Sequence, residues 1–335
     1  MELNSTPVRT SKNFNINNIK LDVEIPKNTD EFKNISMTKK ISMLNEDLNF
    51  KYGVGLDFSN SNSKIKVDLN NCEEKVVYNF DEKNLSLINQ ILINAVGEST
   101  ITIEYRSNTA DKCFHSGGIK LYASENAKVN VNIINFMNEE SDNFETIENV
   151  LEKNSSVNYT IIDIGGKTSI SNYYSSLKGE NSVNDIKTVY LGTQKQLKDL
   201  NYIVELYGEK TNVDIDVQGS LSKSAKKHFK GTIDFQKGSK KAKGNENEYC
   251  MLLSKDAKSI ALPMLLCSED DVSGNHSTAS GRVDDKVLFY IMSRGLSYKE
   301  AVKLLVKSNF TKIIDRIKSE ELKKEIINKI DEKLN

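Results

Sequence analysis

Three residues toward the C-terminal end of the chain have side chains that can bind iron. His276 is one of only three histidines; Cys267 precedes it by nine residues and Cys250 by 26. Imidazole nitrogen and thiolate sulfur are both ligands for iron, and nearby carboxylates can fix the tautomer of a liganding histidine. The acids Glu269-Asp270-Asp271 lie between Cys267 and His276. These residue types predict a metal or cluster site if the fold brings the sulfurs toward His276.

Each of these residues also has a structural interpretation. His276 could be a hydrogen-bonded residue at a domain corner, and an isolated cysteine is commonly a small buried apolar side chain. The same question applies to His115, which with Cys113 and Asp111 could form a metal corner. For His115 a structural role in a turn before the strand at Ile119 is the favoured interpretation. The role of Cys72 stays open at this point.

Composition excludes several classes of function. The chain has 335 residues with 46 Lys and Arg against 47 Asp and Glu, so it lacks the basic excess of a nucleic-acid-binding protein. No apolar run approaches the roughly 20 residues of a membrane span, and residues 1–30 contain no apolar signal-peptide core. We therefore expect a cytoplasmic protein without a membrane partner. The four cysteines contain no CxxC pair, which argues against a disulfide framework or a preformed zinc site.

Motifs of common enzymes are also missing. The sequence contains no GxxxxGK[ST] phosphate loop, so we do not expect it to hydrolyse ATP. It contains neither GxSxG nor HExxH, the motifs of serine hydrolases and zinc proteases. We expect a protein that is not an enzyme.

Short strands dominate the middle of the chain. From about residue 64, apolar and polar residues alternate for about 200 residues, as in Tyr202/Val204/Leu206. A corner recurs in Ser124-Glu-Asn-Ala-Lys128 and Ser254-Lys-Asp-Ala-Lys258. Because Asn-Gly and Asp-Gly hairpin turns are absent, the pattern favours a parallel β-helix over an antiparallel sandwich, which also has many short strands. We assign 1–63 to an N-terminal arm or cap, with a short helix near Met37–Leu44, and 64–282 to the β-helix core.

Residues 283–335 are expected to form a small helical domain. Asp284-Asp285 have the types that begin a helix, and Arg294-Gly295 those that end one. Ser297 and Glu300 form the pattern of a capping box. Beyond it, apolar residues recur at three- and four-residue spacing as far as Leu334, which is typical of amphipathic helices.

The segment around His276 resembles the C-terminal signature of the Suf B/D family, the scaffold proteins of iron–sulfur cluster assembly. The resemblance covers about residues 250–310. It rests on the core Asn275-His-Ser-Thr-Ala-Ser280 and on Leu288-Phe-Tyr-Ile-Met-Ser-Arg-Gly295. It implies a right-handed parallel β-helix that pairs with a B-type subunit, or with a second copy. It also implies an iron–sulfur cluster held transiently at the subunit interface, with no tightly bound cofactor.

The resemblance also implies that the C-terminal helices dock an ABC-type ATPase. Bulky apolar side chains on such helices are suitable anchors. The residues that this implies for docking are Asp284, Leu288, Phe289, Tyr290, Met292, Arg294 and Gly295.

The chain departs from the B-type branch of the family at two positions. B-type members carry Glu directly after the signature histidine and a cysteine before a Met-Leu strand. Here those positions hold Ser277 and Glu248, and Cys250 is displaced by two residues. The departure indicates the D-type branch, in which His276 would contribute to a site shared with a B-type subunit. The alternatives are a β-helix enzyme that acts on polysaccharide, and a homodimeric scaffold without a B-type partner.

Overall fold

A computed structural model describes residues 1–8, 16–26, 30–38 and 42–335. Within these ranges the chain forms twenty strands and three helices. The strands are β1 (Glu2–Leu3), β2 (Ile19–Lys20), β3 (Ile35–Met37), β4 (Ser42–Met43), β5 (Ser63–Asn70), β6 (Glu73–Phe80), β7 (Ser86–Val96), β8 (Glu98–Ser107), β9 (Phe114–Ala123), β10 (Lys128–Phe136), β11 (Asp142–Leu151), β12 (Ser156–Asp163), β13 (Thr168–Leu177), β14 (Val183–Gly192), β15 (Leu197–Leu206), β16 (Asn212–Leu221), β17 (Lys226–Phe235), β18 (Ala242–Leu252), β19 (Lys258–Cys267) and β20 (Val272–Arg282). The helices are α1 (Asp285–Ser293), α2 (Tyr298–Ile314) and α3 (Glu320–Lys333).

The strands from β5 onward form a parallel β-helix of eight coils. The odd-numbered strands β5 to β19 lie in one sheet, here called the odd sheet, and the even-numbered strands β6 to β20 lie in the even sheet. Each strand pairs in parallel with the equivalent strands of the preceding and following coils, as β10 does with β8 and β12. The predicted mainly β fold, a parallel β-helix, is confirmed.

Alternation of apolar and polar residues produces this arrangement, because successive side chains of a strand point to opposite faces of the sheet. Val131 and Ile133 of β10 belong to the interior cluster between the two sheets. Aromatic rings pack along the interior: the ring centroid of Tyr173 lies 5.0 Å from that of Tyr159 and 5.6 Å from that of Tyr202. Aromatic pairs of this kind stabilise neighbouring strands.

One corner of the β-helix is built from stacked asparagines. Asn126, Asn154 and Asn181 have φ values of 63°, 55° and 57°, the left-handed conformation that asparagine tolerates better than most residues. The Asn154 side-chain amide donates to Asn126 Oδ1 at 3.1 Å, and the Asn181 amide donates to Asn154 Oδ1 at the same distance. Ala127, the small residue of the predicted corner, is buried where the coils stack.

The N-terminal segment packs against the β-helix. Leu3 and Val54 are buried with Phe114 and Phe144 on the outer face of the odd sheet. The helix predicted near Met37–Leu44 is wrong for the described residues. Parts of that segment are the strands β3 and β4, and residues 39–41 lie outside the described ranges. The reason is tertiary: β3 and β4 pair antiparallel with β6 and β5 and so cover the edges of the first coil.

Helices α2 and α3 pack on the outer face of the even sheet. Phe310 and Ile313 of α2 and Ile326 of α3 form a second apolar cluster with Ile162 and Val189 of the sheet. The apolar stripe that the sequence predicts on these helices is therefore largely used in packing against the β-helix. None of the three helices in the described part of the chain is long and apolar enough to cross a membrane.

Candidate functional site

His276 lies on β20, the last strand of the even sheet. β20 pairs with β18, and no described strand covers its other edge. The register places His276 beside Glu246, and residues in register on parallel strands point to the same face. His276 is exposed, and its imidazole has no hydrogen-bond partner among the described residues. The open end of the β-helix thus presents a free imidazole above the interior.

The interior one coil below His276 is polar. The Lys227 Nζ atom lies 2.7 Å from Glu248 Oε1, and both side chains are fully buried. The Tyr190 hydroxyl donates to the same oxygen at 3.0 Å. Glu246 is buried too, but neither of its carboxylate oxygens has a hydrogen-bond partner in the described structure. We call Tyr190, Lys227, Glu246 and Glu248 the polar floor.

Burial changes the protonation of Glu246. Desolvation, and secondly the nearby Glu248, raise the pKa of Glu246 to about 8. Two glycines provide the room that these large side chains need. A Cβ atom at Gly231 would overlap the Glu246 carboxyl group, and one at Gly219 would overlap the Tyr190 ring. The chain therefore accommodates an acid without a partner in its interior, directly beneath the open end.

Cys250 lies in the same interior but away from His276. Its register partner on β20 is Ser280, four positions beyond His276. At about 3.3 Å per residue, the two positions are roughly 13 Å apart along the strand. Cys250 is fully buried, and burial raises the pKa of its thiol. A buried and protonated thiol is a poor metal ligand unless the structure rearranges.

Cys267 is exposed at the end of β19. Its thiol donates to the carbonyl oxygen of Glu269 at 3.0 Å. Within the described ranges, no three His, Cys, Asp or Glu side chains are close enough together to hold a metal ion. The side chain that the fold brings next to His276 is therefore a carboxylic acid, and the three predicted ligands do not form one cluster within this chain.

His115 is an interior structural residue. It is fully buried, with Nδ1 at 2.6 Å from Asn143 Oδ1 and Nε2 at 2.8 Å from Asn89 Oδ1. Burial lowers its pKa to about 4, so the imidazole is neutral at physiological pH. Cys113 is also buried, and burial raises the pKa of its thiol. These contacts fit a structural role for both residues. The predicted location of His115 in a turn is wrong, because His115 lies within β9 (Phe114–Ala123).

Helix α1 exposes a larger share of its apolar side chains than α2 and α3 do. Phe289 is 76% exposed, Tyr290 58% and Met292 40%, whereas Leu288 is 5% exposed and faces the protein. The Arg294 guanidinium group lies over the Tyr290 ring, 5.2 Å from its centroid. With Val287, which is 42% exposed, four exposed apolar side chains on one short helix form a patch of the kind that marks an interaction site.

The ends of α1 are made by the residues that the sequence indicated. Asp284 is the N-cap, and its side chain accepts a hydrogen bond from the Lys286 backbone at 2.8 Å. Gly295 follows the helix with a φ of 98°, a conformation that glycine adopts without strain. These two residues therefore fix the length and direction of α1.

The polar floor was missed by reasoning from the sequence. Glu246, Glu248 and Cys250 alternate along β18, so their shared face could have been recognised. Which residue of β20 lies beside which of them depends on the length of the coil, and the sequence does not reveal that length.

Comparison with known proteins gives the family. The family described as "SUF system FeS cluster assembly, SufBD core domain" matches residues 78–309. The chain is 26% identical over 265 residues to the iron–sulfur cluster assembly protein SufD of Bacillus subtilis, covering 78% of this chain and 60% of that protein. It is 25% identical over 171 residues to SufD of Escherichia coli, covering 51% of this chain and 40% of that protein.

A third relative comes from an archaeon. The chain is 29% identical over 196 residues to a SufBD family protein of Pyrococcus horikoshii, covering 58% of this chain and 43% of that protein. The match to the Bacillus protein spans about 60% of that relative's length. With the family match extending over most of the β-helix and into α2, the chain belongs to the SufBD family of iron–sulfur cluster assembly proteins and is SufD-like.

Proposed function

We propose that this chain is a scaffold subunit of a Suf-type assembly complex and that α1 docks an ABC-type ATPase of the SufC type. One observation carries the proposal: α1 keeps Phe289, Tyr290 and Met292 in solvent, while α2 and α3 bury most of their apolar residues on the even sheet. Tyr298 and Leu304 of α2 are exposed exceptions. Aromatic and Met side chains are enriched in protein interfaces. The other residues predicted for docking then hold the helix in place and do not form the centre of the contact surface; they are Asp284, Leu288, Arg294 and Gly295.

We propose that the open end of the β-helix pairs with a B-type subunit or with a second copy of this chain. β19 and β20 are long edge strands, and an uncovered edge readily pairs with another chain. The iron–sulfur cluster is transient cargo at this seam, where His276 offers a ligand and Cys267 is the exposed thiol. Cys250 is buried and would contribute only after the last coil opens.

The remaining predictions belong to the same proposal. The division into an arm (1–63), a β-helix core (64–282) and an ATPase-docking helical domain (283–335) stays a prediction. The same holds for a cytoplasmic location, for the absence of catalysis, and for the absence of nucleic-acid and membrane partners. Membership of the SufBD family favours cluster assembly over the alternative of a polysaccharide-acting enzyme.

The docking proposal is tested with variants of α1. Replacing Phe289 and Tyr290 with Ala is expected to weaken binding of a Suf-type ATPase on the order of 30-fold, the loss typical of an interface hot spot. Isothermal titration of the purified proteins measures the change. Met43→Ala is the matched control, because Met43 is also highly exposed but lies at the opposite end of the β-helix. Wild-type affinity of the double variant would refute docking through α1.

Point variants are preferable to removing the tail. Deletion of residues 284–335 would uncover Ile162, Val189 and the rest of the apolar cluster on the even sheet. A contiguous apolar patch of that kind promotes aggregation, so loss of ATPase binding by the truncated chain would be ambiguous.

The role of His276 is tested separately. His276→Ala is expected to reduce cluster formation on the assembled complex and to leave the fold intact, because the imidazole is exposed and makes no hydrogen bond within the described chain. Visible absorption of the reconstituted cluster and circular dichroism of the protein measure the two effects. A wild-type cluster yield would remove His276 from the proposed site.

A further inference from the structure

Two neighbouring polar groups at the open end lack partners within the described chain. The Glu246 carboxyl group is fully buried and both of its oxygens are unpaired, while the His276 imidazole has no hydrogen bond. A buried carboxyl group without a partner costs free energy, and such groups in folded proteins call for an explanation. Their positions are in register on β18 and β20 and face the same side of the sheet. Neighbouring strands lie about 4.8 Å apart, within reach of both side chains.

We propose that Glu246 is the positioning residue of His276, forming a carboxylate–imidazole pair that orients one ring nitrogen outward, toward iron at the seam. This rests on the proposed function of His276 and extends it to a residue with no assigned role. A histidine that binds a metal ordinarily donates its other N–H to a carboxylate or carbonyl. The pair that leaves a lone pair for iron is the one in which the ionised carboxylate accepts the N–H of the inward ring nitrogen. That hydrogen bond itself favours the ionised form of the acid.

The surroundings of Glu246 favour this role over a purely structural one. Its neighbour Glu248 is already bonded to Lys227 and Tyr190, so these two side chains are engaged elsewhere. The space occupied by the Glu246 carboxyl group exists because residue 231 is glycine. The strand toward the open end is β20, and none of its residues is buried. No buried apolar residue of that strand therefore stands in the way of a carboxyl group that turns toward His276.

The chain contains a matched control for Glu246. Glu145 is also fully buried, has no hydrogen-bond partner for either oxygen among the described residues, and occupies space left by a glycine, Gly117. It lies on β11, several coils from the open end, close to His115. Removing either acid relieves a similar burial cost, but only Glu246 is adjacent to His276.

The first test is the tautomer of His276 in the intact chain. Long-range ¹H–¹⁵N spectra of protein labelled with ¹⁵N-histidine contain three imidazoles, because the sequence has three histidines. We expect His276 to show one tautomer in the wild-type protein and a mixture in Glu246→Ala. Glu145→Gln is expected to change the signals of His115 and to leave those of His276 alone. A tautomer mixture at His276 in the wild-type protein would overturn the inference.

The second test uses Co²⁺ as a probe of the assembled complex. Glu246→Gln is expected to weaken Co²⁺ binding 10- to 100-fold, the usual effect of losing the carboxylate behind a liganding histidine. If His276→Ala weakens binding and Glu246→Gln does not, the positioning role fails. If His276→Ala has no effect, the proposed site fails, and the tautomer spectra still decide whether the pair exists.

Discussion

Arg106 on β8 and Glu325 on α3 form a bidentate ion pair, with Nη1–Oε1 and Nη2–Oε2 distances of 2.5 and 2.8 Å. The Nε of the same arginine donates to Glu104, whose side chain is fully buried. The guanidinium group also lies 4.8 Å from the ring centroid of Phe136. One side chain therefore attaches the helical tail to the even sheet and neutralises a buried acid.

Arg106→Ala is expected to lower the free energy of unfolding by about 2–3 kcal/mol, because it leaves the buried Glu104 with Lys75 as its remaining cation. Glu325→Ala is expected to cost about 1 kcal/mol or less, since Glu325 is partly exposed and Arg106 keeps its bond to Glu104. Urea denaturation measures both values. Equal losses in the two variants would contradict the importance of Glu104.

Glu145 is expected to make stability depend on pH. Burial raises its pKa to about 8, so the folded protein keeps a proton that the unfolded chain releases near pH 4.5. Between these values the folded state binds more protons, and the free energy of unfolding falls as pH rises, by at most about 1.4 kcal/mol per pH unit for one group. Glu145→Gln removes this contribution and should flatten the decline.

Urea denaturation at pH 5, 6, 7 and 8 measures the effect. The control is Glu125→Gln, at an exposed corner. Glu246 contributes with the same sign, so the slope is reduced but not abolished in the single variant. An unchanged slope in Glu145→Gln would show that this acid is ionised in the folded protein.

The four thiols are expected to differ in reactivity. Cys267 is exposed and should react first with a disulfide reagent, and the half-buried Cys72 should react more slowly. Cys113 and Cys250 are buried, and burial raises the pKa of both, so they should react after unfolding. Stopped-flow absorbance with and without denaturant measures how many thiols react in each kinetic phase. Rapid reaction of Cys250 in the native protein would indicate that the last coil opens.

Gly219→Ala is expected to destabilise the protein by about 2–4 kcal/mol, because the new methyl group would overlap the ring of Tyr190. Gly281→Ala is the control, since no atom lies within 4 Å of the added Cβ and its φ is not in the left-handed region. Thermal unfolding compares the two. Similar melting temperatures of the two variants would mean that the Tyr190 ring can shift to avoid the added methyl group.

Local signals in the sequence predicted local structure well. Asp284 begins α1, and Ser297 and Glu300 form the capping box of α2, because each contact lies within one helical turn. The coils were predictable for the same reason, since alternation within a strand determines which face is buried. The segment Met37–Leu44 was mispredicted as a helix because its strands depend on pairing with distant residues. Met37 ends β3, which pairs with β6 about 40 residues away, and β4 pairs with β5.

The site depended on a distance that the sequence does not give. Glu246 and His276 are in register because the coil between them is 30 residues long. A coil four residues shorter would have placed Cys250 beside His276, the arrangement that the pattern of ligands suggested. Coil lengths vary with the corners, so an error of a few residues exchanges a thiol for a carboxylate.

The two ends of the stack of coils are finished differently. β3 and β4 cover the first coil, but the described chain leaves β19 and β20 without a neighbour on one side. In a linear array each unit is stabilised by adjacent units, so the terminal one is the weakest. Local unfolding should therefore start at β20 and proceed coil by coil toward the N-terminal end of the β-helix. Amide hydrogen exchange would show protection that increases from β20 toward the first coil. A partner bound to the last coil would therefore stabilise the whole β-helix.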